Sequence, residues 1–200
     1  MRVYLTGATE ETPPNPINLY GFLKAASELV VTQRADHGAV ARLSAVNGVH
    51  WARPATPRRQ DAGFGYLVSS LVGSLRAGEP FAVWESPSIN MVATPTLASD
   101  AADLLWRLVT GGHEGVLHCC GGESVDRRTL ARLAVEVFDL DDDLLELGVP
   151  YPDEPPLAPV PFDTSLDAST TADRLGVRLP TVRDQLARMR AEFDSIEVPA

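Results

Sequence analysis

The stretch Glu11-Thr12-Pro13-Pro14-Asn15-Pro16-Ile17-Asn18-Leu19-Tyr20-Gly21-Phe22-Leu23-Lys24-Ala25-Ala26-Ser27-Glu28 decides how this chain is read. Its three prolines fix φ and remove backbone donors, so Ala8 to Ile17 cannot be the helix that usually follows an N-terminal strand. From Asn18 the pattern turns helical. Leu19, Leu23, Ala26 and Val30 recur at spacings of three and four, which predicts an amphipathic helix through about Gln33. Tyr20 and Lys24 lie four apart at its start, on one face and one turn from each other. A free tyrosine titrates near 10, and an ammonium within about 4–6 Å favours the phenolate and lowers that value. Such a tyrosine can exchange a proton with a carbonyl or alcohol. The bare spacing is also that of an ordinary surface pair.

Upstream, Arg2 to Thr6 is a β-rich run ending at Gly7 and reads as a strand feeding a turn. Downstream, Val40 to Val46 is a second strand, and Asn47 to Ala62 is a loop with Pro54 and Pro57 among Arg53, Arg58 and Arg59. Gly63 to Ala77 has helical periodicity and stops at Gly78. Phe81 to Trp84 and Met91 to Thr94 are short strands around a Ser-Pro-Ser turn. Ser99 or Asp100 can cap a helix carrying Ala102, Leu105, Trp106 and Val109. Val116 to Cys120 is a third main strand, and Ser124 can cap a helix to about Asp139. Asp139 to Asp143 reads as a solvated turn, because it lacks the spaced oxygens and glycine of a calcium loop. Tyr151 to Pro161, with five prolines, reads as an extended strap. Ala168 to Leu175 and Thr181 to Ile196 close the chain as helices. Strands alternating with helices favour an α/β fold with a parallel core.

The 200 residues suffice for a full core, and 44% hydrophobic with 22% charged residues is a globular composition. A net charge of -10 repels phosphate backbones and anionic lipid surfaces, which argues against nucleic-acid and membrane partners. Cys119 and Cys120 are sequence neighbours and supply no disulfide framework, which suits a reducing, cytoplasmic location. No apolar run approaches the roughly 20 residues of a membrane span. The four histidines show no zinc-ligand spacing, so no metal site is expected, and His118 reads as part of a buried strand end.

The Glu11 to Glu28 stretch resembles the "E-x-x-P-x-x-P-x-x-x-Y-G-x-x-K-x-x-x-E" segment of extended short-chain dehydrogenases/reductases acting on nucleotide sugars. Ala41-Arg42-Leu43-Ser44 resembles the strand after their catalytic helix. Ala93-Thr94-Pro95-Thr96-Leu97-Ala98-Ser99-Asp100-Ala101-Ala102 is similar to the "PT-x-x-x-D-x-A" element of dTDP-4-dehydrorhamnose reductases. Gly115-Val116-Leu117-His118, followed by Gly121-Gly122-Glu123-Ser124, is similar to their "G-x-x-H-x-x-G" strand and turn. Asp163 to Leu186 resembles their substrate-side helices. The resemblance spans about Arg2 to Arg190 and implies NADP or NAD as cofactor and a nucleoside-diphosphate sugar as partner. It implies Tyr20 as acid/base and Lys24 as its pKa-lowering, ribose-contacting neighbour, with Leu43 and Ser44 beside the cofactor. Arg53, Arg58 and Arg59 fall in a loop where related enzymes hold substrate, and their guanidinium forks suit a diphosphate; a solvated arginine-rich loop is the plain alternative. Trp51, Phe64 and Tyr66 can stack on a base or pack in the core, and Arg127 and Arg128 read as surface charges on a helix.

The sequence also departs from that family. A dinucleotide pyrophosphate needs a glycine-rich first turn, whereas Gly7 is followed by Ala8-Thr9-Glu10-Glu11 and the next glycine is Gly21. Arg2 to Thr9 either resembles the family's first strand, "V-x-V-T-G-A-T", or is the strand before the catalytic segment. In the second register Thr6 supplies the catalytic hydroxyl; the plain alternative is a strand-end threonine. The expectation is one α/β domain over 1–200, a truncated Rossmann-like parallel sheet. Residues 1–50 and 97–140 form its sheet-and-helix core, and 51–96 and 141–200 its substrate side. It would bind a sugar nucleotide, bind NAD(P)H weakly or not at all, have impaired or lost activity, and self-associate through an exposed sheet edge. The alternatives are an active 4-keto sugar-nucleotide reductase or epimerase, and an incomplete chain of one.

Overall fold

A computed structural model describes residues 7–50, 59–152 and 156–195. The Arg2 to Thr6 strand, and with it Thr6, lies outside the described residues, as do Trp51, Arg53 and Arg58.

The predicted first helix is α1, Leu19–Arg34. Asn18 caps it, its side-chain oxygen accepting from the Gly21 N–H at 2.8 Å. It leads into β1 (Ala39–Arg42), which pairs in parallel with β6 (Gly115–His118), Ala39 opposite Gly115 and Arg42 opposite His118. The expected strand to Val46 is broken at Leu43. The chain peels off there, and β2 (Val46–Asn47) pairs separately with β5 (Thr96–Leu97). Ser44 marks the break, donating to the Thr164 carbonyl at 3.0 Å and accepting from the Thr94 N–H at 3.2 Å.

Helix α2 (Leu67–Arg76) starts later than the periodicity suggests, behind Phe64 and Tyr66, and stops before Gly78 at φ +73°. Strand β3 (Phe81–Glu85) pairs in parallel with β8 (Leu145–Pro150), with a bulge at Gly148. A three-stranded sheet places β4 (Val92–Ala93) between antiparallel β7 (Val125–Asp126) and parallel β9 (Asp163–Thr164).

Two expected caps are corrected. Helix α3 (Ala98–Thr110) begins directly after Leu97 without a side-chain cap, so neither Ser99 nor Asp100 fills that role. Helix α4 (Arg127–Phe138) is capped by Asp126, which accepts from the Thr129 N–H at 2.8 Å. Ser124 instead meets the Thr94 hydroxyl at 2.7 Å. The remaining helices are α5 (Ser169–Leu175) and α6 (Val182–Ser195). The acidic cluster is a short turn of 3-10 helix, Asp142–Leu144, in which the Asp141 carboxylate accepts from the Asp143 N–H at 3.0 Å.

The main core lies where α2, α4 and α6 cover β3, with Leu67, Leu71, Val72, Val83, Leu130, Ala134 and Met189 all buried. A smaller cluster of Leu104, Leu108, Leu117 and Cys119 sits under β1 and β6. Burying an aliphatic side chain contributes about 1.5–3 kcal/mol, so the layer of α2, α4 and α6 over β3 holds most of the stabilising contacts among the described residues. Helix α1 stands apart. None of its residues is fully buried, and Leu19, Phe22, Leu23, Leu29 and Val30 are all more than half exposed.

Candidate functional site around Tyr20 and Lys24

The α1 spacing places Tyr20 and Lys24 together. The Lys24 Nζ stands 5.5 Å from the Tyr20 ring centroid, and both line a groove of about 430 Å³ between α1 and β1. Ser27, Glu28 and residues Ala39 to Leu43 complete its walls. Tyr20 is 71% exposed, so its hydroxyl can meet a ligand without rearrangement of the chain.

One turn beyond Lys24, Glu28 anchors the helix to the sheet. Its carboxylate accepts from Arg42 Nε at 3.0 Å and Nη2 at 2.8 Å. The same guanidinium donates to the Thr12 carbonyl at 3.3 Å and faces His118 Nε2 at 3.5 Å. His118 is fully buried, and its Nδ1 lies 2.7 Å from the Asp167 carbonyl, a geometry that requires the proton on Nδ1 and leaves Nε2 to accept from Arg42. Its backbone N–H donates to the Thr171 hydroxyl at 2.8 Å, which in turn donates to Glu10 at 2.9 Å. The proline-rich segment, α1, β1, β6 and α5 thus meet beyond the carboxyl ends of two parallel strands, where open α/β sheets place ligands.

Of the residues singled out from sequence, the structure brings Tyr20, Lys24 and Leu43 into one groove. Ser44 follows directly, but its hydroxyl is engaged by Thr164 and Thr94. Arg59 is exposed at the start of the segment leading to α2. Phe64 is buried in the main core. The reading of Arg127 as a surface charge is wrong: it is fully buried, while Arg128 forms a half-exposed ion pair with Glu85. Burial pushes the Arg127 guanidinium down to about 10, against the opposing charge of Asp61. Cys119 and Cys120 are free and buried, and desolvation pushes their thiols up to about 11 and about 12.

Residues 6–195 match the family model described as RmlD substrate binding domain. The chain belongs to the RmlD substrate binding domain family. Among curated proteins, this RmlD-type chain is 29% identical over 184 residues to the probable low-salt glycan biosynthesis reductase Agl14 of Haloferax volcanii, covering 92% of the chain and 57% of that protein. Among solved structures it is similar to the dTDP-4-dehydrorhamnose reductase of Yersinia enterocolitica (TM-score 0.75, 17% identity, 94% of this chain and 61% of that one). It is also similar to the dTDP-4-dehydrorhamnose reductase of Bacillus anthracis solved in complex with NADP (TM-score 0.71, 19% identity, 93% and 59%). The RmlD-type chain therefore spans less than two thirds of the relatives it matches. The α/β, Rossmann-like reading of the sequence agrees with these neighbours. Among the described residues, no helix is long and apolar enough to cross a membrane.

Arg42, Glu28 and His118 were legible as family positions but not as a connected group. The hydrogen bonds joining them cross from residue 28 to 42 and from 42 to 118, which no local spacing reveals.

Proposed function

We propose that this chain binds a nucleoside-diphosphate sugar on the substrate side of an RmlD-type fold, with its own redox activity impaired or lost. The carrying observation is the groove that places Tyr20 and Lys24 side by side at the carboxyl end of β1. In this reading the Tyr20 hydroxyl meets the sugar's C4 oxygen and can hold or deliver a proton there, with the Lys24 ammonium beside its ring. Leu43 lines the same groove and Ser44 follows it, and the Arg53, Arg58 and Arg59 loop supplies charge for the diphosphate.

The relatives' use of NADP or NAD supports a nicotinamide cofactor at the level of the family, but the residues present do not fit one. The Gly7 α-carbon is packed against the backbone of Leu166 and Asp167, where an added Cβ would lie 2.6 Å from the Asp167 nitrogen. This glycine thus serves a contact between two backbone segments distant in sequence, and no second glycine follows before Gly21 to let a pyrophosphate approach.

Calorimetric titration tests the proposal, with dTDP-glucose and NADPH as separate ligands. Saturable binding of dTDP-glucose with weak or absent NADPH binding is the expected result. Micromolar NADPH binding with a thermal shift of several degrees restores the active-reductase reading, and failure to bind dTDP-glucose removes the sugar-nucleotide reading.

A further inference from the structure

Arg127 opens α4 and, among the described residues, is the largest fully buried side chain. A buried cation needs compensation, which carboxylates usually supply. Here the Asp61 charge opposes the desolvation, but the guanidinium's hydrogen bonds all go to carbonyl oxygens. Its Nε donates to the Asn90 carbonyl at 2.6 Å, and Nη2 donates to the carbonyls of Asp61, at 2.8 Å, and Gly63. Its Nη1 reaches the Gln60 side-chain oxygen at 3.4 Å, and its Cζ lies 5.5 Å from the Phe64 ring centroid. Peptide carbonyls of a surface segment ordinarily face water. Those of Asp61 and Gly63 turn inward onto this cation, which makes it one tie of residues 60–64 beside the Asn90 N–H that donates to the Ala62 carbonyl at 2.9 Å.

The second branch runs through Asn90. While its backbone carbonyl accepts from Arg127, its side-chain amide donates to the Pro161 carbonyl at 3.1 Å and to the Thr164 hydroxyl at 2.8 Å. The Arg127 N–H donates to the Met91 carbonyl at 3.1 Å, and the Met91 N–H to the Phe162 carbonyl at 2.8 Å. The strap so held reaches the candidate site at two points. The Thr164 carbonyl accepts from Ser44, beside the groove, and the Pro159 carbonyl accepts from Asn18 Nδ2 at 2.7 Å, two residues before Tyr20.

We infer that Arg127 is a positioning residue of the sugar-nucleotide site: its guanidinium organises two segments at once, residues 60–64 directly and residues 159–164 through Asn90. It touches no ligand itself, because it has no exposed surface. The inference rests on the sugar-nucleotide reading for what the site binds. The clamp itself rests on the hydrogen bonds alone. Lysine cannot replace it, since one ammonium lacks the planar fork that reaches Asn90, Asp61 and Gly63 together.

The test combines dTDP-glucose affinity with amide hydrogen exchange on the full chain. In a folded Arg127→Lys protein, amides of 60–64 and 162–164 should exchange faster while those of α3 and α5 keep their parental rates, and dTDP-glucose affinity should fall roughly tenfold or more. Unchanged exchange in both segments, or affinity within twofold of the parent, overturns the inference. A merely structural role would lower the melting temperature without this selective pattern. If Arg127→Lys does not fold, the parent and Thr164→Val, which removes one link to the strap, decide the matter. dTDP-glucose should protect 60–64 and 162–164 in the parent, and Thr164→Val should bind more weakly; protection of neither segment overturns the inference. A parent that fails to bind dTDP-glucose defeats the sugar-nucleotide reading instead, and the exchange pattern of Arg127→Lys then decides the clamp by itself.

Discussion

The Arg42 guanidinium grips the Glu28 carboxylate with two parallel hydrogen bonds, Nε to Oε1 at 3.0 Å and Nη2 to Oε2 at 2.8 Å, with both side chains about four-fifths buried. Because α1 buries no side chain fully, this ion pair is its firmest tie to the sheet. Hydrogen bonds to charged groups are worth about 1.5–3 kcal/mol, and removing one partner leaves the other poorly solvated. Glu28→Gln should therefore cost roughly 1–3 kcal/mol in urea unfolding, and α1 amides should exchange faster than those of α4. Unaltered exchange across α1 would show that the helix is held by other means.

Tyr20→Phe should melt like the parent, since the hydroxyl is exposed and the ring stays in place. Any NAD(P)H-dependent turnover of a 4-keto sugar nucleotide should fall by roughly 10²–10⁴-fold, the range for loss of a general acid. Lys24→Met should act in the same direction, because the groove then loses the ammonium that stands over the Tyr20 ring. Turnover that survives Tyr20→Phe unchanged would remove this tyrosine from the chemistry.

The two cysteines give a pH dependence of known sign. Their thiols titrate at about 11 and about 12 in the folded chain, against 9.0 for an unperturbed thiol. Between those values the unfolded chain loses thiol protons that the folded chain keeps. The stabilisation is complete below pH 9 and is lost as pH rises through about 11 to 12, each unit of separation amounting to about 1.4 kcal/mol. Urea melts at increasing pH should therefore decline less steeply for Cys120→Ala than for the parent. Equal slopes would refute the assignment. At pH 8 neither thiol should react with a maleimide before the chain unfolds.

Leu19, Phe22, Leu23, Leu29 and Val30 leave α1 with a broad apolar face toward solvent, and among the described residues β1 pairs on one edge only. Unpaired strand edges and apolar patches invite a second copy of the chain. Light scattering at high micromolar concentration should show self-association that Phe22→Glu with Leu29→Glu reduces. A monomer throughout would rule it out.

What was legible in the sequence was mainly what depends on neighbours along the chain. The α1 stripe, the β1 and β6 strands and the stop at Gly78 follow from local periodicity and punctuation. Strand β8 went unread although Leu145, Leu147 and Val149 alternate, because Gly148 interrupts the run and the bulge it forms is defined only against Val83 and Trp84. Arg127 looked like Arg128 because the carbonyls that receive it come from Asp61, Gly63 and Asn90. The hydroxyls of Ser99 and Ser124 resembled caps and were drawn to Glu192 and Thr94, partners distant in sequence. Tyr20 and Lys24 were readable because helix pitch alone brings them together, whereas the Arg42 group that fixes their helix was not.

The contact between Gly7 and Leu166, continued by the parallel bridge of Ala8 with Leu166, joins positions separated by most of the polypeptide. A ribosome releases the early segment long before its counterpart exists. Contacts of such wide separation close late, since their loop entropy must be met first. The Tyr20 helix therefore spends synthesis beside an unfinished clasp, and the proline-rich segment that leads into it is fixed late.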